Sequence, residues 1–102
     1  MKKLIFLDTE TTGNDLLTDR LFEVCYSQGG DIRQEMFKPP LPISVKAQSI
    51  THITNKMVAD KPSFADSKMK QDLQILFKDH VLVAHNTKFD IAMLAKEGIE
   101  VP

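Results

Sequence analysis

The chain has 102 residues, with 13 Lys and Arg against 14 Asp and Glu, for a net charge of −1. This length fits one domain or part of one, and the balance of charges excludes a broad basic surface, so any contact with nucleic acid has to be local. The single Cys25 excludes an intrachain disulfide and is typical of a reducing compartment. Since no stretch has the length and apolarity of a membrane span, we expect a cytoplasmic protein.

The first part of the chain predicts three strands. Residues 3–7 form a short apolar run, which is typical of a strand buried on both faces. Residues 9–19 are rich in Thr, Gly, Asn and Asp and predict a loop. Strands follow at residues 21–27 and 32–38, and the Gly-Gly pair between them predicts a tight hairpin.

The remainder predicts an irregular segment over residues 43–61 with two short helical turns, and then a helix, a strand and a second helix. The helix begins near Ser63, because Ser63 and Asp66 form a capping box, and its apolar stripe consists of Met69, Leu73, Leu76 and Phe77. Residues 81–84 form the fourth strand, and residues 87–97 the last helix. A helical crossover makes the first and fourth strands parallel neighbours, so we predict an α/β fold with a mixed sheet and flanking helices.

Two carboxylates follow the first strand in the stretch LIFLDTETTG. Residues i and i+2 of a strand project on the same face, so Asp8 and Glu10 should point the same way. Two like charges this close require compensation, and Mg²⁺ prefers such oxygen ligands. A turn with solvated acids is the simpler alternative.

A third acid, Asp90, lies in HNTKFD, directly after the fourth strand. If the first and fourth strands are neighbours, Asp90 can face Asp8 and Glu10 at the carboxyl edge of the sheet, which is the usual site in α/β proteins. The alternative is structural, because Thr87 and Asp90 also have the spacing of a capping box. Three acids at one edge favour the metal site.

These two fragments, LDTETTG and HNTKFD, resemble the first and second motifs of the DEDD 3′–5′ exonucleases, in particular the DNA polymerase III epsilon-subunit-like group with an RNase H-like fold. Between them, ITHIT is similar to the family's His-Gly-Ile-Thr segment but lacks its glycine. The motifs stand in the family's order and span essentially the whole chain.

The resemblance implies hydrolysis of terminal phosphodiester bonds, with single-stranded DNA 3′ ends as substrate, a DNA polymerase as a possible partner and two divalent ions, Mg²⁺ or Mn²⁺, as cofactors. It implies that Asp8, Glu10 and Asp90 are catalytic metal ligands. Leu16 or Leu17 is implied as a wedge against the terminal base, and backbone amides of the Thr11–Thr12 pair as contacts near the 3′ end. The implied substrate-binding residues are Thr9, Thr11, Thr12, Leu16, His52, Asn86 and Phe89. An exposed loop histidine and a core phenylalanine remain open alternatives for His52 and Phe89.

The third motif of the family, His-x-x-x-x-Asp, supplies a general base and a fourth carboxylate. His85 and Asp90 have this spacing by chance and belong to the second motif. We therefore expect residues 1–102 to be an incomplete exonuclease domain, truncated after the fourth strand and the following helix and poorly active alone. The exposed apolar fourth strand predicts self-association.

Two other functions compete with this interpretation. A haloacid-dehalogenase-like phosphatase has Asp-x-Asp-x-Thr after an apolar strand, and in such an enzyme Asp8 would be a nucleophile. This sequence instead has Glu10 in the place of the second Asp, and its fourth strand is not followed by the expected Ser or Thr.

A non-catalytic nucleic-acid-binding or scaffold module is the second alternative, but such a module has no need of three converging acids.

Overall fold

The computed structural model describes residues 3–102, which form one four-stranded mixed sheet with order β3-β2-β1-β4. The strands are β1 (Lys3–Thr11), β2 (Leu21–Gln28), β3 (Asp31–Met36) and β4 (His80–Val83). β2 is antiparallel to both β1 and β3, whereas β4 is parallel to β1. The predicted neighbourhood of the first and fourth strands is therefore confirmed.

Four α-helices and a 3₁₀ turn complete the fold. They are α1 (Val45–Thr51), α2 (Asn55–Val58), the 3₁₀ turn (Phe64–Asp66), α3 (Lys68–Leu76) and α4 (Thr87–Lys96). The two helical turns predicted within residues 43–61 correspond to α1 and α2. No helix within residues 3–102 combines the length and apolar character that crossing a bilayer requires.

The start of α3 lies later than the sequence predicts. The Ser63 hydroxyl does accept from the Asp66 N–H at 3.3 Å, but this cap closes the 3₁₀ turn only. A second serine, Ser67, caps α3 by accepting from the Lys70 N–H at 3.1 Å. Two capping serines four residues apart therefore divide the predicted helix into a turn and a helix.

The main core lies on one face of the sheet, between the strands and helices α3 and α4. It consists of Ile5, Leu7, Leu21, Val24, Tyr26, Phe37, Phe64, Met69, Leu73, Phe77, Leu82, Leu94 and Ile99. Most of the predicted α3 stripe is buried in it, and Leu76 packs against it. A second cluster packs α1 and α2 near the same end of the sheet as the site residues; it consists of Phe22, Ile43, Ala47, Ile53 and Val58.

β1 is covered on one face only. Ile5 and Leu7 are buried, but Leu4 and Phe6 on the opposite face are 45% and 52% exposed. The prediction of a strand buried on both faces is therefore wrong within residues 3–102, because both large helices pack on the same side. An open apolar face remains, formed by Leu4, Phe6, Val81 and Val83.

The β2–β3 hairpin has the predicted tight turn. Gln28 pairs with Asp31, so two glycines form the turn. Gly29 and Gly30 have φ values of 55° and 89°, which glycine adopts without steric cost. The two glycines therefore fix the register in which β3 pairs with β2.

Candidate active site

Asp8 and Glu10 lie on the same face near the end of β1, as the period of the strand predicts. They pair across the sheet with Cys25 and Glu23 on β2, and a bulge follows directly after Glu10. β1 extends through Thr11, so both acids belong to the strand, and Glu10 lies outside the loop that the sequence predicts from residue 9 onwards. Asp8 is exposed and Glu10 is half-buried. The regular strand geometry thus fixes both carboxylates before the chain turns away.

Asp90 lies in the first turn of α4 and is only 4% exposed. Its carboxylate oxygen Oδ1 accepts a hydrogen bond from the Thr9 hydroxyl at 2.6 Å. The capping box is not formed, because the Thr87 hydroxyl donates to the Ala84 carbonyl at 3.1 Å instead. The structural alternative for Asp90 is therefore wrong, and this carboxylate is held against β1.

Charge is concentrated at this edge of the sheet. Burial raises the pKa of Glu10, and the nearby carboxylates of Asp8, Glu23 and Asp90 raise it further. Burial also raises the pKa of Asp90; the Thr9 hydrogen bond opposes this rise, Asp8 adds to it, and His85 lowers it. Asp8, Glu10 and Asp90 are therefore close enough to interact electrostatically, and the half-buried Glu10 and the buried Asp90 both resist ionisation.

The three carboxylates do not form a closed metal cage. Within residues 3–102, no group of three or more His, Cys, Asp or Glu side chains is arranged to hold a metal ion. The reason is visible in β1, where Thr9 points to the core face and Asp8 to the opposite face. Asp90 is hydrogen-bonded to Thr9, so it lies on the opposite side of the end of β1 from Asp8.

A cleft of about 470 Å³ opens beside Glu10. Four predicted site residues line it, namely Thr9, Glu10, Thr11 and Phe89. The opposite wall is formed by α1 and the residue before it, which the sequence motifs do not identify as part of the site; its residues are Ser44, Lys46, Ala47, Ile50 and Thr51. The sequence signals for this helix are the apolar spacing of Ala47 and Ile50 and the capping residue Ser44.

Thr12 stabilises the loop and is 1% exposed. Its hydroxyl donates to Asp19 Oδ1 at 2.7 Å, and its N–H donates to the Arg20 carbonyl at 2.9 Å. Its carbonyl accepts from the Ser44 N–H at 3.0 Å. Because its hydroxyl, N–H and carbonyl all make internal hydrogen bonds, Thr12 holds the loop in place, and Thr11 is the member of the pair that lines the cleft.

Leu16 and Leu17 lie in the loop between β1 and β2 and are 48% and 89% exposed. The loop is ordered by Asp19, whose carboxylate accepts from the Asp15 N–H at 2.8 Å as well as from Thr12. Both leucines are thus presented to solvent by a hydrogen-bonded loop.

His52 lies outside the residues that line the cleft. It ends α1 in the left-handed conformation, with φ of 62°, and its side chain is exposed. Thr51, the residue directly before it, does line the cleft.

Asn86 directly precedes α4 and is exposed. Its side chain makes no capping hydrogen bond to the helix. Phe89, one turn further on, is half-buried and lines the cleft beside Glu10. The second motif thus places an aromatic ring at the cleft and an exposed amide at the end of β4.

Asp8 lines a different groove, of about 360 Å³, on the open face of the sheet. Phe6, Cys25, Val83 and His85 also line it. Burial raises the pKa of the Cys25 thiol, and Asp8 and Glu23 add to the rise, so this cysteine is a poor nucleophile. Asp8 therefore lines the groove on the open face, whereas Glu10 lines the cleft.

Curated relatives resemble this chain over most of its length. DNA polymerase III PolC-type of Thermotoga maritima is 38% identical over 95 residues, which cover 88% of this chain and 7% of the relative. DNA polymerase III subunit epsilon of Treponema pallidum is 36% identical over 95 residues, covering 88% of this chain and 43% of the relative. The 3′–5′ exonuclease DinG of Staphylococcus epidermidis is 34% identical, covering 88% and 10%. The chain thus spans less than half the length of each of these relatives.

Solved structures share the fold. Exonuclease I of E. coli in complex with a dT13 oligonucleotide has a TM-score of 0.78 at 19% identity, covering 98% of this chain and 25% of that chain. A complex of exonuclease I with SSB-Ct has a TM-score of 0.78 at 20% identity, covering 95% and 24%. The sheet and helices of residues 3–102 therefore have the architecture of an RNase H-like exonuclease.

The sequence model of the exonuclease family (RNase_T) matches residues 5–101. This match includes both carboxylate motifs and favours the exonuclease assignment over a haloacid-dehalogenase-like phosphatase. The chain therefore belongs to the exonuclease family.

Proposed function

We propose that this chain serves in a metal-dependent 3′–5′ exonuclease that removes terminal nucleotides from single-stranded DNA. One observation carries the proposal: Glu10 and Asp90 both have raised pKa values because they are buried beside other carboxylates. Such crowding is unfavourable unless a cation compensates it, and perturbed acids next to a cleft are typical of functional sites.

Asp8, Glu10 and Asp90 are the residues that we propose to hold the cation. Their donors are hard carboxylate oxygens, which suit Mg²⁺ or Mn²⁺. Bound divalent ions supply activation of the attacking water and stabilisation of the leaving oxygen. Because Asp8 and Asp90 lie on opposite sides of the end of β1, we propose that ion binding draws the Asp8 and Asp90 side chains towards Glu10.

We propose that the cleft beside Glu10 binds the 3′ end. Phe89 offers a ring for base stacking, and Lys46 on the opposite wall is a cation for a backbone phosphate. Leu16 and Leu17 project from the neighbouring loop. These contacts are local, in agreement with a net charge of −1.

A DNA polymerase is the partner that we propose for the whole protein. The support is that relatives named DNA polymerase III PolC-type and subunit epsilon match 88% of this chain. The solved exonuclease I complexes, which contain an oligonucleotide or SSB-Ct, share its fold.

Metal binding and oligonucleotide shortening test the proposal together. Mn²⁺ titration of the metal-free protein should show binding that Asp8→Asn, Glu10→Gln and Asp90→Asn each weaken about 10-fold or more, whereas the exposed Asp31→Asn has no effect. Any shortening of a 5′-labelled single-stranded oligonucleotide should begin at the 3′ end and stop with EDTA. If wild-type protein binds no Mn²⁺ at millimolar concentration, the proposal is wrong.

A non-catalytic nucleic-acid-binding module is the second candidate. The observation in its favour is that residues 3–102 contain no group of three donors arranged to hold a metal. In that case, binding of the labelled oligonucleotide, followed by fluorescence anisotropy, should be insensitive to EDTA and to Asp90→Asn. The exonuclease proposal expects Mn²⁺ to strengthen this binding and Asp90→Asn to remove the effect.

A further inference from the structure

We propose that Thr9 is a positioning residue, whose hydroxyl orients the Asp90 carboxylate so that one oxygen stays available to a divalent cation. The inference rests on the proposed metal-dependent function. It differs from the substrate-binding role that the sequence motif suggests for Thr9, because the hydroxyl makes its hydrogen bond to a carboxylate.

The contact is short and buried. The Thr9 hydroxyl donates to Asp90 Oδ1 at 2.6 Å, and the two residues are 8% and 4% exposed. Hydrogen bonds from a hydroxyl to a carboxylate are strong at this distance. They also restrict the rotation of the acceptor, because the donor lies on a strand whose position is fixed by pairing with β2.

The second oxygen of Asp90 has a different environment. Within residues 3–102, the Thr9 hydroxyl is the one side-chain or backbone donor to this carboxylate. No fully buried side-chain nitrogen or oxygen in this range lacks a hydrogen-bond partner. It follows that Oδ2, which has no such partner, retains contact with solvent, and it is therefore the oxygen that can receive a cation.

This division of the two oxygens is the usual role of a residue behind a metal ligand. A hydrogen bond from behind fixes the orientation of the ligand, and its loss typically lowers metal affinity about 10- to 100-fold. Thr9 can act this way because it lies between Asp8 and Glu10 but points to the opposite face of β1, where α4 brings Asp90.

Mn²⁺ affinity, measured by isothermal titration calorimetry on the metal-free chain, tests the inference. Thr9→Val and Thr9→Ala both remove the hydroxyl, and we expect about 10-fold weaker binding; the smaller alanine keeps the test valid if valine prevents folding. Thr9→Ser retains the donor and should bind within about 3-fold of wild type. In an Asp90→Asn background, Thr9→Val should have no further effect.

Thr87→Val is the matched control, since it removes a hydroxyl that donates to the Ala84 carbonyl at the start of the same helix, and its Mn²⁺ affinity should equal that of wild type. Equal or tighter binding by Thr9→Val would overturn the inference, because Thr9 would then be irrelevant to the cation or compete with it. Absence of binding in wild type and all variants would overturn the proposed function itself, and the inference with it.

Discussion

Arg20 and Glu97 form a two-pronged ion pair that joins the end of the β1–β2 loop to the C-terminal end of α4. Arg20 Nε lies 2.7 Å from Glu97 Oε2, and the second guanidinium nitrogen Nη2 lies 3.1 Å from Oε1. Lys96 adds a bond from its ammonium group to the Asp19 carbonyl at 2.8 Å. The pair therefore ties the loop that follows Glu10 to the helix that carries Asp90.

We expect Arg20→Ala to lower the free energy of unfolding by about 2–4 kcal/mol, because it leaves the Glu97 carboxylate buried without its partner. The Glu97 side chain is 5% exposed and that of Arg20 is 32% exposed. Urea denaturation measures the effect. Lys3→Ala, which breaks an exposed pair with Asp79, is the control and should leave the midpoint unchanged. Equal midpoints for Arg20→Ala and wild type would contradict the structural role of the pair.

Gly13→Ala should destabilise the same loop. An added Cβ at Gly13 would lie 2.5 Å from Asp19 Oδ2, and this carboxylate cannot move freely because Thr12 and the Asp15 N–H donate to it. Forced overpacking of this kind costs about 1–3 kcal/mol. Thermal unfolding measures the loss, and the exposed Asn14→Ala next to it should change stability by about 0.5 kcal/mol or less. A Gly13→Ala melting temperature equal to that of wild type would show that the loop adapts.

The elements of the sheet are predictable from sequence because their signals are local. Apolar runs and the Gly29–Gly30 turn identify the strands, and the helical crossover makes β4 parallel to β1. The start of α3 was mispredicted since both Ser63 and Ser67 are competent caps, and a one-dimensional pattern does not decide between them. Which face of β1 is covered depends on both helices packing on one side, and the pattern of β1 alone carries no such information.

The site shows the same division between local and tertiary information. The period of a strand correctly places Asp8 and Glu10 on one face, and the order of elements places Asp90 nearby. The sequence does not reveal that Thr9 binds Asp90, because that contact joins residues 81 positions apart. It also does not show that His52 ends a helix in a left-handed conformation with φ of 62°, since residues other than glycine seldom adopt positive φ.

His52→Gly should stabilise the protein. His52 has φ of 62° at the end of α1, a conformation that costs a residue with a Cβ about 1 kcal/mol and costs glycine little. Part of the gain is lost to the greater freedom of glycine in the unfolded chain, so we expect about 0.5–1 kcal/mol by urea denaturation. Ser49→Gly, within the same helix, should have the opposite sign. Destabilisation by His52→Gly would mean that the histidine makes a compensating contact.

We propose self-association through the open apolar face of the sheet and test it with a charge on Phe6. Phe6 is 52% exposed beside the edge strand β4, and apolar sheet edges favour pairing with a second chain. The apparent mass from light scattering should rise with concentration for wild type, and Phe6→Lys should reduce this rise. Ile75→Lys, at a residue 62% exposed on α3, is the matched control and should behave as wild type. A wild-type mass that is independent of concentration contradicts the proposal.

Glu10→Gln and Asp90→Asn should each stabilise the metal-free chain at neutral pH. Burial and neighbouring carboxylates raise the folded-state pKa of Glu10 above its ordinary value of 4.5 and that of Asp90 above 3.8. A raised acid pKa means that the folded state binds the proton more tightly than the unfolded state. The stabilising contribution is therefore present at low pH and is lost as the pH rises through the folded-state pKa.

Thermal unfolding in EDTA between pH 4 and pH 8 measures this effect. Both variants should have a higher melting temperature than wild type at pH 7. The gain in free energy of unfolding should be about 0.5–2 kcal/mol, as is common when a functional site gives up uncompensated charge, and the difference should shrink towards pH 4. Asp60→Asn, at an exposed position, should follow wild type at every pH. Added Mn²⁺ should raise the melting temperature of wild type more than that of Asp90→Asn, because a cation that binds the folded state replaces the missing compensation. If both variants melt below wild type at pH 7 in EDTA, the carboxylates are already compensated within the protein, and their crowding is not the signature of a cation site.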